Sequence, residues 1–385
     1  MNKYAISMLI FANEYYIPGT IISAYTHKKY IDKFDLNIDL IIMVDDKMYK
    51  YKDELLKFFD KVKKINLIEM KLSNDYFVIK KYSKWMKYSI NKWQMMQFEE
   101  YEKILFLDAD FLPLDEKFYQ IFNFNTPAVT TNLPCKEGSE LLKTFFMNVE
   151  DVNKINKKSA ESYCDFALKL KSSINATVIM LKPDIVMYDE YINFIKKAEK
   201  HGYKSLVHSG IDETSLLLFL RYYKDLPIYC IPKIFSIAPW DDKNYDINNI
   251  YGLNYVSFIK PWLRLPMLQW SEENIWHLIA KKALKKSVIV TEIYINGLMD
   301  NLKFFSNNYK KFNAKSGYNL ELLQLKNKIY SLLDYVKKNM GVKYPELQHL
   351  NKIQKIMEDS KHIHSFMNNK SIINYDKLTE LINSE

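Results

Sequence analysis

Ile104-Leu-Phe-Leu-Asp-Ala-Asp110 places four apolar residues directly ahead of two acids spaced one residue apart. A continuous apolar run of that length reads as a strand buried on both faces of a parallel sheet. In an open parallel sheet the ligand crevice lies beyond the carboxyl ends of the strands, so Asp108 and Asp110 emerge where a ligand would bind. Two carboxylates at one strand end suit a hard cation, Mg2+ or Mn2+, which would neutralise a diphosphate and stabilise a leaving nucleotide. Taken alone a D-x-D pair is equally a solvated turn; the buried strand in front of it is what delivers both acids to a fixed place.

The pattern on either side supports that strand. Residues 4–11 form a short apolar run, Pro18 opens a segment reading as helix over 19–30, and residues 39–44 give a second apolar run. A helical stretch through Leu55 and Phe59, a third strand over 62–68 and a helix over 84–101 lead into the acid pair. Alternation of this kind predicts β-α-β units and a mostly parallel sheet. Further strands are expected at 128–131, 176–181 and 226–231, with helices at 189–200 and 213–222. Beyond about residue 283 the pattern turns wholly helical, with Leu322, Leu325, Ile329, Leu332 and Val336, then Leu347, Leu350, Ile353 and Met357, at helical spacing. The expected organisation is therefore an α/β domain over 1–283 and a helical C-terminal region over 284–385. With no polar linker between them, the helices would pack on the α/β part or on a second copy, as a homodimer.

Composition removes several classes. The chain has 385 residues, of which 48% are hydrophobic and only eight are Gly, so it buries a full core yet has no G-x-G-x-x-G or G-x-x-x-x-G-K phosphate loop. Cys135, Cys164 and Cys230 lie far apart without a C-x-x-C, which points to a reducing compartment: the cytoplasm, or a host's cytoplasm for a viral chain. The N-terminal apolar run is too short to span a bilayer, and no transmembrane segment is expected. Net charge is +9, but the lysines are dispersed. Lys80, Lys84 and Lys87 share a helical face near Trp85 and Tyr88, and a solvated face explains them more cheaply than nucleic-acid binding does.

The stretch from Lys92 to Leu114, including a Lys sixteen positions before the first acid of the pair, resembles glycosyltransferase family 8 and within it the glycogenin-like proteins. Ala12-Asn13-Glu14-Tyr15-Tyr16, Asn175-Ala176, Asp212-Glu213 and Lys260-Pro261-Trp262 match that family's motifs in order. The resemblance spans about residues 4–283 and implies a GT-A fold, a Rossmann-like nucleotide-sugar-binding domain with a UDP-sugar donor such as UDP-glucose, and retention of anomeric configuration. It further implies that Asp108 and Asp110 bind the metal, with Ala109 between them against the donor. Ala12 and Asn13 would meet the uridine and Tyr16 would stack on uracil. Lys92 and Lys260 would offer ammonium groups to the diphosphate or donor sugar, Asn175 would contact sugar hydroxyls, and Asp212 would sit beneath the transferring sugar as the catalytic acid. Each residue also has an ordinary reading: Tyr16 as core packing, Asn175 as a turn cap, Asp212 as a helix N-cap.

Two positions depart from the family. Asn254-Tyr-Val-Ser-Phe-Ile-Lys260 lacks the His that supplies a third metal ligand, leaving Ser257, Asn254 or water to fill in, with His208 as an outside candidate. Glu213 stands where the family has Gln, adding a charge beside the sugar. The reading is a metal-assisted hexosyltransferase acting on a glycan or protein acceptor. Its alternative is a nucleotide-sugar-binding protein with little or no activity that uses its helical tail for assembly.

Overall fold

The computed structural model describes residues 3–70, 85–131, 174–200, 211–238, 250–255, 260–263, 271–294, 296–297 and 376–384. The expected tail runs over 322–357 lie outside these residues, as do Ser257 and His208.

Strand β1 (Tyr4–Ile10) leads to helix α1 (Ile17–Lys33), which carries Pro18 in its first turn, where a missing N–H costs no helical hydrogen bond. Strand β2 (Ile38–Val44) follows, then the short helices α2 (Asp46–Tyr49) and α3 (Lys52–Leu55) and strand β3 (Lys61–Lys64). A 3-10 segment, Ser89–Gln97, enters β4 (Lys103–Leu107). Next are β5 (Phe111–Pro113), β6 (Ala128–Thr131), β7 (Ile174–Leu181), α4 (Ile185–Lys200), α5 (Ile211–Leu218), β8 (Tyr229–Cys230), β9 (Gly252–Asn254), α6 (Ser271–Ala283) and α7 (Asp376–Asn383).

Seven strands form one sheet in the order β3-β2-β1-β4-β7-β6-β8, and β5 pairs with β9 in a small second sheet. β1 pairs in parallel with both β2 and β4, while β7 runs antiparallel to β4 and β6. The sheet is thus mostly parallel, as the alternating pattern predicts, with β7 the reversed strand among those described. That reversal matters for the site. With Leu107 opposite Val178, the entrance of β7 lies at the same edge as the exits of β1, β2 and β4.

Successive residues of the central strands point into two cores. Ile6, Met8, Leu40, Ile42, Leu105 and Leu107 pack on one face, and Ala5, Ile41, Met43, Ile104 and Phe106 on the other. The first core takes in α1 and α6. It also takes in Leu378, Leu381 and Ile382 of α7, a helix that lies against α1 and α6 and is tied at Lys377 to Asp115. The second core is covered by Ser89–Gln97, α4 and α5.

The helix expected over 84–101 forms instead as the tighter 3-10 segment. Polar side chains compete for the backbone there: Asn91 Nδ2 donates to the carbonyls of Tyr88 (2.7 Å) and Ile68 (2.9 Å), and Gln94 Nε2 donates to that of Asn66 (2.9 Å). The same bonds hold residues 66–68, so β3 ends at Lys64 and not at 68. β8 is likewise shorter than the expected 226–231, and α5 passes at Leu218 into a π-helical turn over Phe219–Tyr223.

His27 in α1 is fully buried; its Nδ1 and the Tyr119 hydroxyl share a hydrogen bond of 2.9 Å, and its Nε2 has no partner among the described residues. Burial lowers its pKa from the ordinary 6.5 to about 3. The unfolded chain therefore binds a proton that the folded chain refuses. Stability from this residue is fully present above pH 6.5 and is lost as the pH falls towards about 3, at up to roughly 1.4 kcal/mol per pH unit. Denaturant titrations of the parent and His27→Phe at pH 7 and pH 5 should show a clearly smaller pH slope for the variant; equal slopes would sink the assignment.

Candidate functional site

The exits of the parallel strands and the entrance of β7 gather the candidate residues at one edge. Asp108 follows β4, and its backbone N–H donates to the Thr177 carbonyl at 3.2 Å, so the acid pair and the Asn175-Ala176-Thr177 segment are locked side by side. Asp212 enters from the first turn of α5 and is buried.

Lys92 joins these pieces. It leaves the 3-10 segment with a nearly buried side chain, and its Nζ lies 3.1 Å from Asp108 Oδ1 and 3.0 Å from Asp212 Oδ2. Burial alone would favour the neutral amine, yet Asp108, Asp212 and Glu213 more than reverse this and hold its pKa above the ordinary lysine value. Asp108 does not shift as the acid of an isolated ion pair would. Burial, with Asp110 beside it, raises its pKa against the pull of Lys92.

Asp110 is buried and ion-paired with Lys260, whose Nζ also reaches the Tyr255 carbonyl at 3.4 Å. Burial opposes the Lys260 charge as well, and Asp110 outweighs it, so this pKa too stands above its usual value. Tyr16 is partly buried in the same neighbourhood. Burial raises its phenol pKa, Lys260 lowers it, and Asp110 and Asp108 add to the rise.

Tyr16 meets Trp262 edge-on at 5.7 Å, and Trp262 Nε1 donates to the Tyr15 carbonyl at 2.7 Å. This indole seats against Gly19, where an added Cβ would come within 2.5 Å of ring carbons. A glycine at that point of α1 is what lets the Lys260-Pro261-Trp262 segment close on the β1–α1 loop.

Ala12 and Asn13 are exposed just beyond β1. Their hydrogen bonds run away from the acid pair: Asn13 Oδ1 accepts from Tyr15 N (3.1 Å), Ala12 N donates to Asp45 Oδ2 (3.0 Å), and Lys47 Nζ donates to the Ala12 carbonyl (2.9 Å). Ala12 has φ 59°, a left-handed conformation costing about 1 kcal/mol or more for a residue with a Cβ. Asp45 and Lys47 hold it there.

Two residues of this edge, Asp45 and Thr177, escaped the sequence reading, and the role of a third was read only in part. Asp45 also caps α2, its Oδ1 accepting from Met48 N at 2.9 Å; its signal was available, an acid directly after an apolar strand, as at Asp108. Thr177 lies within an apolar run and carries no signal of its own, yet its Oγ1 donates to Asp108 Oδ2 at 3.4 Å. Glu213 was noticed for its charge alone. In the fold its Oε1 accepts from Ala176 N at 3.1 Å, tying α5 to β7. Asn175 Oδ1 likewise accepts from Thr177 N at 2.9 Å, as its turn-capping reading expects.

Among the described residues this centre sets four carboxylates, Asp108, Asp110, Asp212 and Glu213, against two ammoniums, Lys92 and Lys260. The surplus is negative. Hard oxygen donors with surplus negative charge fit a divalent Mg2+ or Mn2+, and Asp108 and Asp110 are the residues that could hold one. No cluster of three His, Cys, Asp or Glu suited to a metal occurs among the described residues. Nor is any helix among them long and apolar enough to cross a membrane.

No family model matches the chain. It is 25% identical over 273 residues to uncharacterized protein R707 of Acanthamoeba polyphaga mimivirus, covering 69% of this chain and 84% of that one. Among solved structures it is similar to the apo-form glycosyltransferase GlyE of Streptococcus pneumoniae TIGR4, with 12% identity, a TM-score of 0.41 and coverage of 77% of this chain and 64% of GlyE. It is also similar to the bifunctional glycosyltransferase WbbM, with 12% identity, a TM-score of 0.43 and coverage of 76% and 51%. The galactosyltransferase LgtC, solved with donor and acceptor sugar analogues, matches at 12% identity and a TM-score of 0.39, covering 72% of this chain and 95% of LgtC. The chain thus spans less than two thirds of GlyE and WbbM.

Proposed function

We propose that this chain is a retaining glycosyltransferase of GT-A type, moving a hexose from a UDP-sugar such as UDP-glucose to a glycan or protein acceptor. The observation that carries the reading is the double ion pair of Lys92, which draws the proposed metal-side acid Asp108 and the proposed sugar-side acid Asp212 into one buried centre. Neither the turn reading of the D-x-D nor the cap reading of Asp212 calls for a buried lysine between them.

In this reading the chain's residues divide the donor. Tyr16, backed by Trp262, takes the uracil face, and Ala12 and Asn13 meet the uridine from the loop that Asp45 holds. Lys260 gives its ammonium to the diphosphate, and Lys92 reaches the donor sugar while remaining between two acids. Asn175 orients sugar hydroxyls at the mouth of β7. Asp212 lies under the sugar, where its carboxylate stabilises oxocarbenium-like charge. Asp108 and Asp110 would hold a divalent cation, which would supply charge neutralisation for the diphosphate and the leaving nucleotide.

Residues 1–283 hold every proposed donor-site residue. Residues 284–385 are assigned to acceptor choice or to pairing of two copies, although α7 also packs on the catalytic core.

A UDP-sugar is itself anionic, so it is repelled by a centre with surplus carboxylates unless a cation intervenes. Calorimetry should show UDP binding at least roughly tenfold tighter with Mn2+ than with EDTA. Equal affinities would remove the cation from the reading. A UDP-sugar hydrolysis panel run with and without Mn2+ completes the test, since donor binding with no turnover of any sugar would favour the binding-protein alternative.

A further inference from the structure

We propose that Asn254 completes the donor set around the cation, its side-chain carbonyl Oδ1 joining Asp108 and Asp110; the inference rests on the metal-assisted reading above. Asn254 ends β9 directly opposite Phe111, the residue after Asp110, and the next residue, Tyr255, donates its N–H to the Asp110 carbonyl at 3.0 Å. The residue is only 2% exposed. The amide nitrogen Nδ2 donates to Thr177 Oγ1 at 2.9 Å, and that hydroxyl in turn donates to Asp108 Oδ2 at 3.4 Å. The Asn254 amide is therefore one hydroxyl away from the first acid and one ladder position from the second.

What remains is Oδ1, which is buried and has no hydrogen-bond partner. A carbonyl taken out of water with nothing to accept from carries a desolvation cost that a donor or a cation would offset. No donor reaches it among the described residues. A neutral carbonyl oxygen is a usual ligand for a hard cation, and joined to two carboxylates it makes an all-oxygen set that suits Mg2+ and Mn2+ over softer metals.

The test is Mn2+ binding in the presence of UDP, followed by the electron paramagnetic resonance of free Mn2+ on the full chain, with melting temperature recorded for every variant. Asn254→Ala should weaken Mn2+ by roughly tenfold or more, Asn254→Asp should tighten it severalfold, and Thr177→Val, which leaves the carbonyl in place, should weaken it by about threefold or less. Unchanged Mn2+ affinity in Asn254→Ala overturns the ligand assignment. So does a loss in Thr177→Val as large as that in Asn254→Ala, because Asn254 would then act only by positioning Asp108 through the hydroxyl. If the alanine variant does not fold, Asn254→Asp decides, and an affinity unchanged or weakened there overturns the assignment as well. A parent chain that takes up no Mn2+ with UDP defeats the metal-assisted reading itself, an outcome distinct from a parent that binds Mn2+ alongside an indifferent Asn254.

Discussion

Asp212→Asn is expected to lower donor turnover by roughly 10²-fold or more while leaving UDP and Mn2+ affinity near the parental values. The substitution keeps the size of a buried side chain and removes one charge from beneath the sugar. Lys92 keeps its second partner, Asp108, at 3.1 Å, so the ammonium stays neutralised and the metal-side acids stay in place. The donor should therefore bind and fail to react. Hydrolysis of the donor without acceptor gives the rate, and calorimetry gives both affinities. Turnover equal to the parent would reduce Asp212 to a structural ion-pair partner of Lys92 in the first turn of α5 and remove the catalytic assignment.

Asp110→Asn should produce the opposite division. Here a charge is lost from the proposed cation site, and Lys260 loses the carboxylate that offsets its burial. Mn2+ affinity and Mn2+-dependent UDP affinity should fall by roughly tenfold to a hundredfold, with turnover at saturating metal recovering part of the loss. UDP affinity without metal should change little or improve, because one repelling carboxylate is gone. The melting temperature separates this outcome from damage to the fold, since a misfolded variant would lose binding under every condition. Parental Mn2+ affinity in Asp110→Asn would detach the acid pair from the metal.

Much of the frame was legible because burial on both faces leaves a plain mark. The runs at 4–11, 39–44 and 104–107 became β1, β2 and β4, and the acids after the last of them stand at the carboxyl edge where such a sheet binds ligands. Lys92 was legible by motif spacing alone, because its partners Asp108 and Asp212 come from distant segments joined only by the fold. The lengths of β3 and of the segment before β4 were misread, since Asn91 and Gln94 spend their amides on the backbone of residues 66–68, a trade that no periodicity reveals. Thr177 could not be singled out for the same reason, and Asn254 stood only as one of several stand-ins for the missing His. Each is an ordinary polar residue in its own segment and gains its position from the reversal of β7 and from the β5–β9 pair. The helix over 376–383 falls in the region read as helical, although its own apolar stripe of Leu378, Leu381 and Ile382 is too short to stand out from the sequence.

That last helix has a bearing on how the protein comes to exist. Leu378, Leu381 and Ile382 share a core with α1, which is synthesised more than three hundred residues earlier. A ribosome working at about 5–20 residues per second therefore leaves that face of the nascent first crossover without its final cover for tens of seconds. Apolar surface exposed for so long is an invitation to aggregation, and a chaperone that shelters nascent chains would find its natural client here. Production conditions that slow elongation anywhere between α1 and α7 would prolong the vulnerable interval, whereas slowing ahead of α1 would not.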